Sequence, residues 1–233
     1  MKSKEAELEI IRLASQHPKV YFLEVADLHI REIHHGVLPL LGKELLSRLY
    51  FDLAISPQSG LWIVLESDKV VGFLAGSTNV RKSYLSVISK AWPAFLHLGL
   101  RSSALDLSLV KKLLTLLIYP FQRAARTQHT IADCDHVDAE ILSIAIDPIV
   151  QRRGIGHRLI KAFEQKLRQS HVQGYYKVAT NRVEMKSNAF YEKVGFLPCH
   201  QVKHNDLTLQ VYLKDISDAI TKELTDEVPK YVQ

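Results

Sequence analysis

One stretch constrains this chain more than any other. Residues 139–146, Ala139-Glu140-Ile141-Leu142-Ser143-Ile144-Ala145-Ile146, read as a strand by β-branching and length, and Asp147-Pro148 ends it. The chain then turns through Gln151-Arg152-Arg153-Gly154-Ile155-Gly156 into a helix running to about Ser170, with Ile155, Leu159, Ile160, Phe163 and Leu167 on one face. Glycines at a strand-to-helix turn let a ligand approach the backbone closely. The first N–H groups of the helix lack internal partners, and its dipole is positive at that end. Turn and helix together make an anion site suited to phosphate or pyrophosphate. Arg152, Arg153 and Arg158 add charge around it. The turn lacks the Gly-Lys-Ser/Thr ending of a Walker A loop, and its glycines are G-x-G without the third glycine of a dinucleotide-binding turn.

The remaining periodicities fill in an α/β or α+β domain with a mixed sheet. Residues 3–16 read as a short amphipathic helix, 20–25 as a strand, and 27–35 and 40–55 as helices. Residues 61–65 and 70–75 are β-rich runs joined by Ser67-Asp68-Lys69, a hairpin signal. Residues 80–124 carry helical spacing, with Leu105, Leu109, Val110, Leu113, Leu116 and Leu117 at three- and four-residue steps. After the central strand and helix come a strand at 175–180 and a short helix at 187–194 ended by Gly195. A closing hairpin follows, built from 196–203 and 207–213. The expectation is a single domain over 1–233, with an extra N-terminal helix at about 3–16 and a helical insertion at about 79–130.

Charge sets that insertion apart. Residues 79–130 hold eight Lys or Arg against one acid, Asp106, whereas in the rest of the chain acids outnumber bases 24 to 22. Aromatics are not interleaved with these bases in a stacking pattern, which argues against nucleic acid as a partner. The insertion fits a solvated helical cover, a lid suited to an anionic acceptor, or an interfacial helix near acidic lipid with Trp92 as anchor. The longest apolar run, Leu113 to Phe121, contains Thr115 and Pro120 and is too short for a membrane span. Acids among the first seven residues break any signal-peptide core. Two distant cysteines, Cys134 and Cys199, make neither a disulfide framework nor a zinc pair, so a reducing cytoplasmic setting is expected.

A second motif lies about 40 residues beyond the glycine turn, at Asn188-Ala189-Phe190-Tyr191-Glu192-Lys193-Val194-Gly195-Phe196. Gln151-x-x-Gly154-x-Gly156 after an apolar strand resembles the acetyl-CoA loop of the GNAT N-acetyltransferase superfamily. The second motif is similar to that family's Phe/Leu-Tyr-x-x-x-Gly-Phe signature. The resemblance covers about 139–213 well and extends to 20–76, but not to 79–130. It implies a mixed, mostly antiparallel sheet flanked by helices, and an acyltransferase that moves acetyl from acetyl-CoA to a primary amine by direct attack. It further implies that main-chain groups of Ile144, Ala145 and Ile146 pair with the pantetheine arm. Gln151 and the N–H groups of Arg152, Arg153, Gly154, Ile155, Gly156 and His157 would hold the pyrophosphate. Tyr191 would protonate the leaving thiolate, a task that suits a phenol, which stays protonated near neutral pH.

The sequence departs from the family pattern twice. Seven residues before the tyrosine, where many members have an Asn, stands Glu184; Asn181 or Asn188 could substitute in contacting CoA. Where members that acetylate ribosomal-protein N-termini have a Glu on the following strand, this chain has Ala179. Glu140 resembles the base position of histone-type members, and a two-residue period puts it on one face with Leu142, Ile144 and Ile146. Water-relayed deprotonation is the alternative. No metal is expected: Asp133, Asp135, His136 and Asp138 form an acidic loop without ligand spacing, and His29, His34 and His35 read as surface histidines. Cys199 reads as a small strand residue. The expected acceptor is a small-molecule amine, such as an amino sugar or a nucleotide-linked one. A non-catalytic CoA- or partner-binding module, peripheral membrane contact and a homodimer stay open.

Overall fold

The computed structural model describes residues 7–36, 38–86, 137–204 and 207–216. Seven strands form one sheet in the order β1-β2-β3-β4-β5-β7-β6. They are β1 (Leu8–Arg12), β2 (Ser59–Glu66), β3 (Lys69–Ser77), β4 (Glu140–Ile146), β5 (Tyr175–Asn181), β6 (Leu197–His204) and β7 (Leu207–Asp215). The pairing is antiparallel throughout, except between β4 and β5. The helices are α1 (Lys19–Glu32), α2 (Gly42–Ile55), α3 (Ile155–Gln169) and α4 (Met185–Lys193). This is the mixed, mostly antiparallel sheet flanked by helices that the sequence implies.

The sheet separates two cores. On one face, Phe22, Val25, Ala26 and Leu28 of α1 and Leu46, Tyr50 and Leu53 of α2 pack on Ile63, Phe73 and Ala75. On the other, Ile155, Leu159, Ile160, Phe163 and Leu167 of α3 pack on Trp62, Leu74, Tyr176 and Val178. Gly76 is needed for this second layer: a Cβ there would sit 2.5 Å from the Phe163 ring. The interior ion pair of Lys214 (β7) with Glu164 (α3), 2.7 Å, and the Tyr176 hydroxyl donating to the same oxygen at 2.5 Å, fasten α3 to the far half of the sheet.

Two N-terminal expectations are corrected. Residues 3–16 do not form a helix in their described part: Leu8–Arg12 is edge strand β1, paired antiparallel with Trp62–Glu66. Strand β2, buried from Ser59 to Leu65, offers an edge of N–H and C=O groups, and pairing with it outweighs a weak helical pattern. Residues 20–25 are not a strand but the first half of α1. Phe22, Val25, Ala26 and His29 recur at three- and four-residue steps and all face the core, so tertiary burial overrides the β-branching of Val20 and Val25. The hairpin β2–β3, both strands around α3, the short α4 and the closing hairpin lie where expected. Most of the basic insertion lies outside the described residues; residues 80–86 are helical. Among the described residues no helix is long and apolar enough to cross a membrane.

Candidate active site

The site begins with a break in the ladder. β4 pairs with β5 only at Glu140↔Lys177 and Ile141↔Val178. Beyond Ile141 the strands part: β5 continues with β7 up to Asn181↔Leu209, while β4 stays with β3 up to Ile146↔Gly72. Among the described residues the side of β4 that faces β5 therefore has no strand partner along Ser143–Ile146, inside an otherwise continuous sheet. An open backbone edge in such a place calls for a polar, extended occupant.

A bulge in β4 helps to open it. Ala75 opposes Ser143 and Gly76 opposes Ile141, so Leu142 is one residue too many. The bulge reverses the alternation and corrects the expected shared face. Ile144 and Ile146 pack with the α3 core, whereas Glu140 opposes Ser77 and Lys177 on the α1/α2 face, and Leu142 packs with the α1/α2 core.

At its C-terminal end β4 runs into the glycine turn. Arg152 (φ +65°) and Gly154 (φ +73°) both adopt the left-handed conformation, which turns successive N–H groups toward one side. A Cβ on Gly154 would meet nothing within 4 Å, so the space beside it is open. The first intrahelical bond of α3 is from Arg158 N–H to the Gly154 carbonyl, 3.1 Å; the N–H groups of Gly154, Ile155 and Gly156 ahead of it have no intrahelical partner. Of the three arginines, Arg153 is tied to Glu66 at 2.9 Å and Arg158 donates to the Leu8 carbonyl at 3.2 Å. Arg152 makes no ion pair among the described residues and stays exposed. His157 is exposed on the first turn of α3, and Ile155 and Gly156 are buried. Gly156 is an interior contact: a Cβ there would lie 2.7 Å from the Phe190 ring.

Two expected side-chain ligands are engaged within the protein. Gln151 Nε2 donates to the Ile146 carbonyl at 3.0 Å. Asn188 Nδ2 lies 2.9–3.2 Å from the carbonyls of Asn181, Arg182 and Glu184, and its Oδ1 is 2.9 Å from the Tyr212 hydroxyl. Asn188 thus fixes the loop between β5 and α4. Asn181 is buried and accepts from the Val183 N–H at 3.3 Å. Glu184 stands at the N-cap position of α4 without a side-chain cap, and its carboxylate pairs with His35 at 3.1 Å, joining the segment after α1 to the loop after β5.

Tyr191 lies on the α3 side, 5% exposed, among Phe190, Phe196 and Tyr212 with ring centroids 5.4–5.9 Å away. Burial pushes its phenol well above the ordinary value, and its hydroxyl makes no hydrogen bond among the described residues. Glu140, 7% exposed, sits at the apex of the split, one residue before the last β4–β5 pair at Ile141. Burial raises its carboxyl above the usual range, and the Lys177 ammonium, 3.9 Å away, opposes that rise. The neighbouring Tyr84 phenol is raised by burial and then by the Glu140 charge. Sequence reasoning missed Lys177 and Tyr84, because nothing local marks them; they meet Glu140 only through the β4–β5 pair and the helical turn at 80–86.

Other expectations need placing. His29 is not a surface residue: it is 1% exposed between α1 and α2, its Nδ1 2.5 Å from the Tyr50 hydroxyl, and burial lowers its pKa to about 4. Asp133, Asp135 and His136 lie outside the described residues; Asp138 accepts from Asn79 Nδ2 at 3.3 Å. Cys199 lies in β6 as expected, its Sγ 3.4 Å from His200 Nδ1.

A model of the acetyltransferase (GNAT) family matches residues 28–196. Comparison with curated protein sequences returns no match. Among solved structures, the chain is similar to the ribosomal-protein-S18-alanine N-acetyltransferase of Escherichia coli, at 12% identity and TM-score 0.51, covering 90% of this chain and 94% of that one. It is similar to a GNAT-family acetyltransferase of Streptococcus pneumoniae at 12% identity and TM-score 0.52, covering 90% and 99%. It is also similar to an N-acetyltransferase of Staphylococcus aureus Mu50 at 13% identity and TM-score 0.53, covering 91% and 99%. At these identities the likeness establishes a shared fold.

Proposed function

The chain belongs to the acetyltransferase (GNAT) family, and we propose that it moves an acetyl group from acetyl-CoA to a primary amine of a small molecule by direct attack. The observation that carries this reading is the coincidence of two features on one strand. Among the described residues the edge of β4 is open beyond Ile141, and the same strand ends in a turn whose Gly154, Ile155 and Gly156 N–H groups have no intrahelical partner. An extended, amide-bearing arm suits the first and a pyrophosphate the second. In this reading Ile144, Ala145 and Ile146 hold the pantetheine through their main chain. The N–H groups from Arg152 to His157 take the phosphates, with the Arg152 guanidinium beside them. Gln151 and Asn188 contribute by fixing the turn and the neighbouring loop.

Acetyl-CoA supplies the activated thioester; the protein supplies a base and an acid. As the nitrogen–carbon bond forms, Glu140 takes a proton from the attacking amine, and a carboxyl raised by burial is a better base than an exposed one. As the carbon–sulfur bond breaks, the Tyr191 phenol gives its proton to the sulfur. Glu140 is on the α1/α2 face of the sheet and Tyr191 in the α3 core. This separation keeps the proton leaving nitrogen apart from the one reaching sulfur.

The test is a CoA-release screen with acetyl-CoA over amino sugars, nucleotide-linked amino sugars, polyamines, amino acids and peptides. Release with at least one of these amines is expected. Tight CoA binding with no release above hydrolysis across the panel would instead identify a binding module.

A further inference from the structure

Glu140 is buried, yet a base must be ionised before it can accept a proton, and burying a lone carboxylate costs several kcal/mol. The groups facing it are few. From β5 comes Lys177, directly across the parallel pair, with Nζ 3.9 Å from Glu140 Oε2. From the helical turn at 80–86 comes Tyr84, whose phenol stays neutral. From β3 comes Ser77, whose hydroxyl is 2.6 Å from that of Ser83. Asp138, two residues before β4, is held by Asn79 and lies 3.9 Å from Arg81. Lys177 is thus the one cation facing Glu140 among the described residues. At 3.9 Å it is close enough to stabilise the charge but too far to hydrogen-bond to the carboxylate. The gap leaves that oxygen without a hydrogen bond from Lys177.

We propose that Lys177 is a positioning residue of the transfer reaction: its ammonium keeps Glu140 ionised at the apex of the β4–β5 split without capping the oxygen that accepts the proton. This rests on Glu140 being the base. Register supports the geometry, since Tyr176 and Val178 face the α3 core and so turn Lys177 to the Glu140 face. The parallel contact is only two residue pairs long, so its position, 140 against 177, is what brings the two charges together.

Two measurements on the full chain test it. The first is a ¹³C NMR titration of glutamate-labelled protein, with the Glu140 carboxyl assigned through Glu140→Gln. It needs no acceptor. Lys177→Met should raise the Glu140 midpoint by about one unit or more, the effect expected of losing an opposite charge at this distance, and Lys177→Arg should restore it. The second is the pH profile of kcat/KM, using whichever panel amine releases CoA fastest. The acid limb should move up with the NMR midpoint in Lys177→Met, cutting the rate about tenfold below the limb, and recover at higher pH, with the Kd for CoA unchanged. Lys177→Gln serves if the Met variant does not fold. An unmoved midpoint, or a limb that stays put while Glu140→Gln is inactive, overturns the role of Lys177 but leaves Glu140 as base. Full activity of Glu140→Gln overturns both.

Discussion

His29 should give this protein a measurable acid weakness. The side chain is 1% exposed, stacked 6.1 Å from the Phe73 ring, with Nδ1 2.5 Å from the Tyr50 hydroxyl and Nε2 without a partner. Neutral imidazole suits this place, because Nδ1 can accept the Tyr50 proton. Imidazolium does not: burial takes its charge out of water. Its pKa is about 4 in the folded chain against 6.5 for the ordinary value. The unfolded chain therefore binds a proton that the folded chain refuses between those values. The stability that neutral His29 contributes is fully present above pH 6.5 and is lost as pH falls toward 4. At 1.36 kcal/mol per unit, this amounts to about 3 kcal/mol. The assay is urea unfolding of wild type and His29→Gln at intervals from pH 7.5 to 4. Wild type should lose about 3 kcal/mol more than the variant over that range. Parallel curves for the two proteins would refute the reasoning.

Other expectations follow from particular contacts. Lys214→Met leaves Glu164 charged and buried, with the Tyr176 hydroxyl as its remaining side-chain donor among the described residues. It should cost about 3–5 kcal/mol in chemical denaturation, most of it recovered by adding Glu164→Gln. Gly156→Ala forces a methyl against the Phe190 ring at 2.7 Å and should lower stability by about 1–3 kcal/mol, with Phe190→Leu relieving part of the loss. Gly154→Ala meets no atom, but its φ of +73° is unfavourable for alanine. A loss of about 1 kcal/mol is expected there from backbone strain alone, read as a shift in the unfolding midpoint.

The C-terminal half of the fold is legible because its signals are local. The glycine turn, the α3 stripe from Ile155 to Leu167 and the Gly195 stop each depend on a few neighbouring residues. The N-terminal elements are not local in this sense. Leu8–Arg12 becomes a strand because β2 has an edge to complete, and Val20 lies in a helix because Phe22, Val25 and His29 have a core to fill. The site divides the same way. The phosphate-type turn can be read residue by residue. The bulge at Leu142 cannot, since an extra residue exists only relative to the opposite strand. That single insertion moves Glu140 off the face of Ile144 and Ile146 and brings it against Lys177. His29 misleads for a related reason: only the contact between α1 and α2 buries it.

The central claim is that Tyr191 serves chemistry at sulfur, and one comparison tests it most directly. The kcat of Tyr191→Phe with acetyl-CoA and the fastest panel amine should be set against the affinity of the same variant for acetyl-CoA. Removing one hydroxyl from a ring packed among Phe190, Phe196 and Tyr212 leaves the packing intact. The account predicts that kcat falls by about 10²-fold or more, the contribution of a general acid, while the Kd for acetyl-CoA stays within about twofold. A Tyr191→Phe enzyme that turns over at the wild-type rate would contradict it.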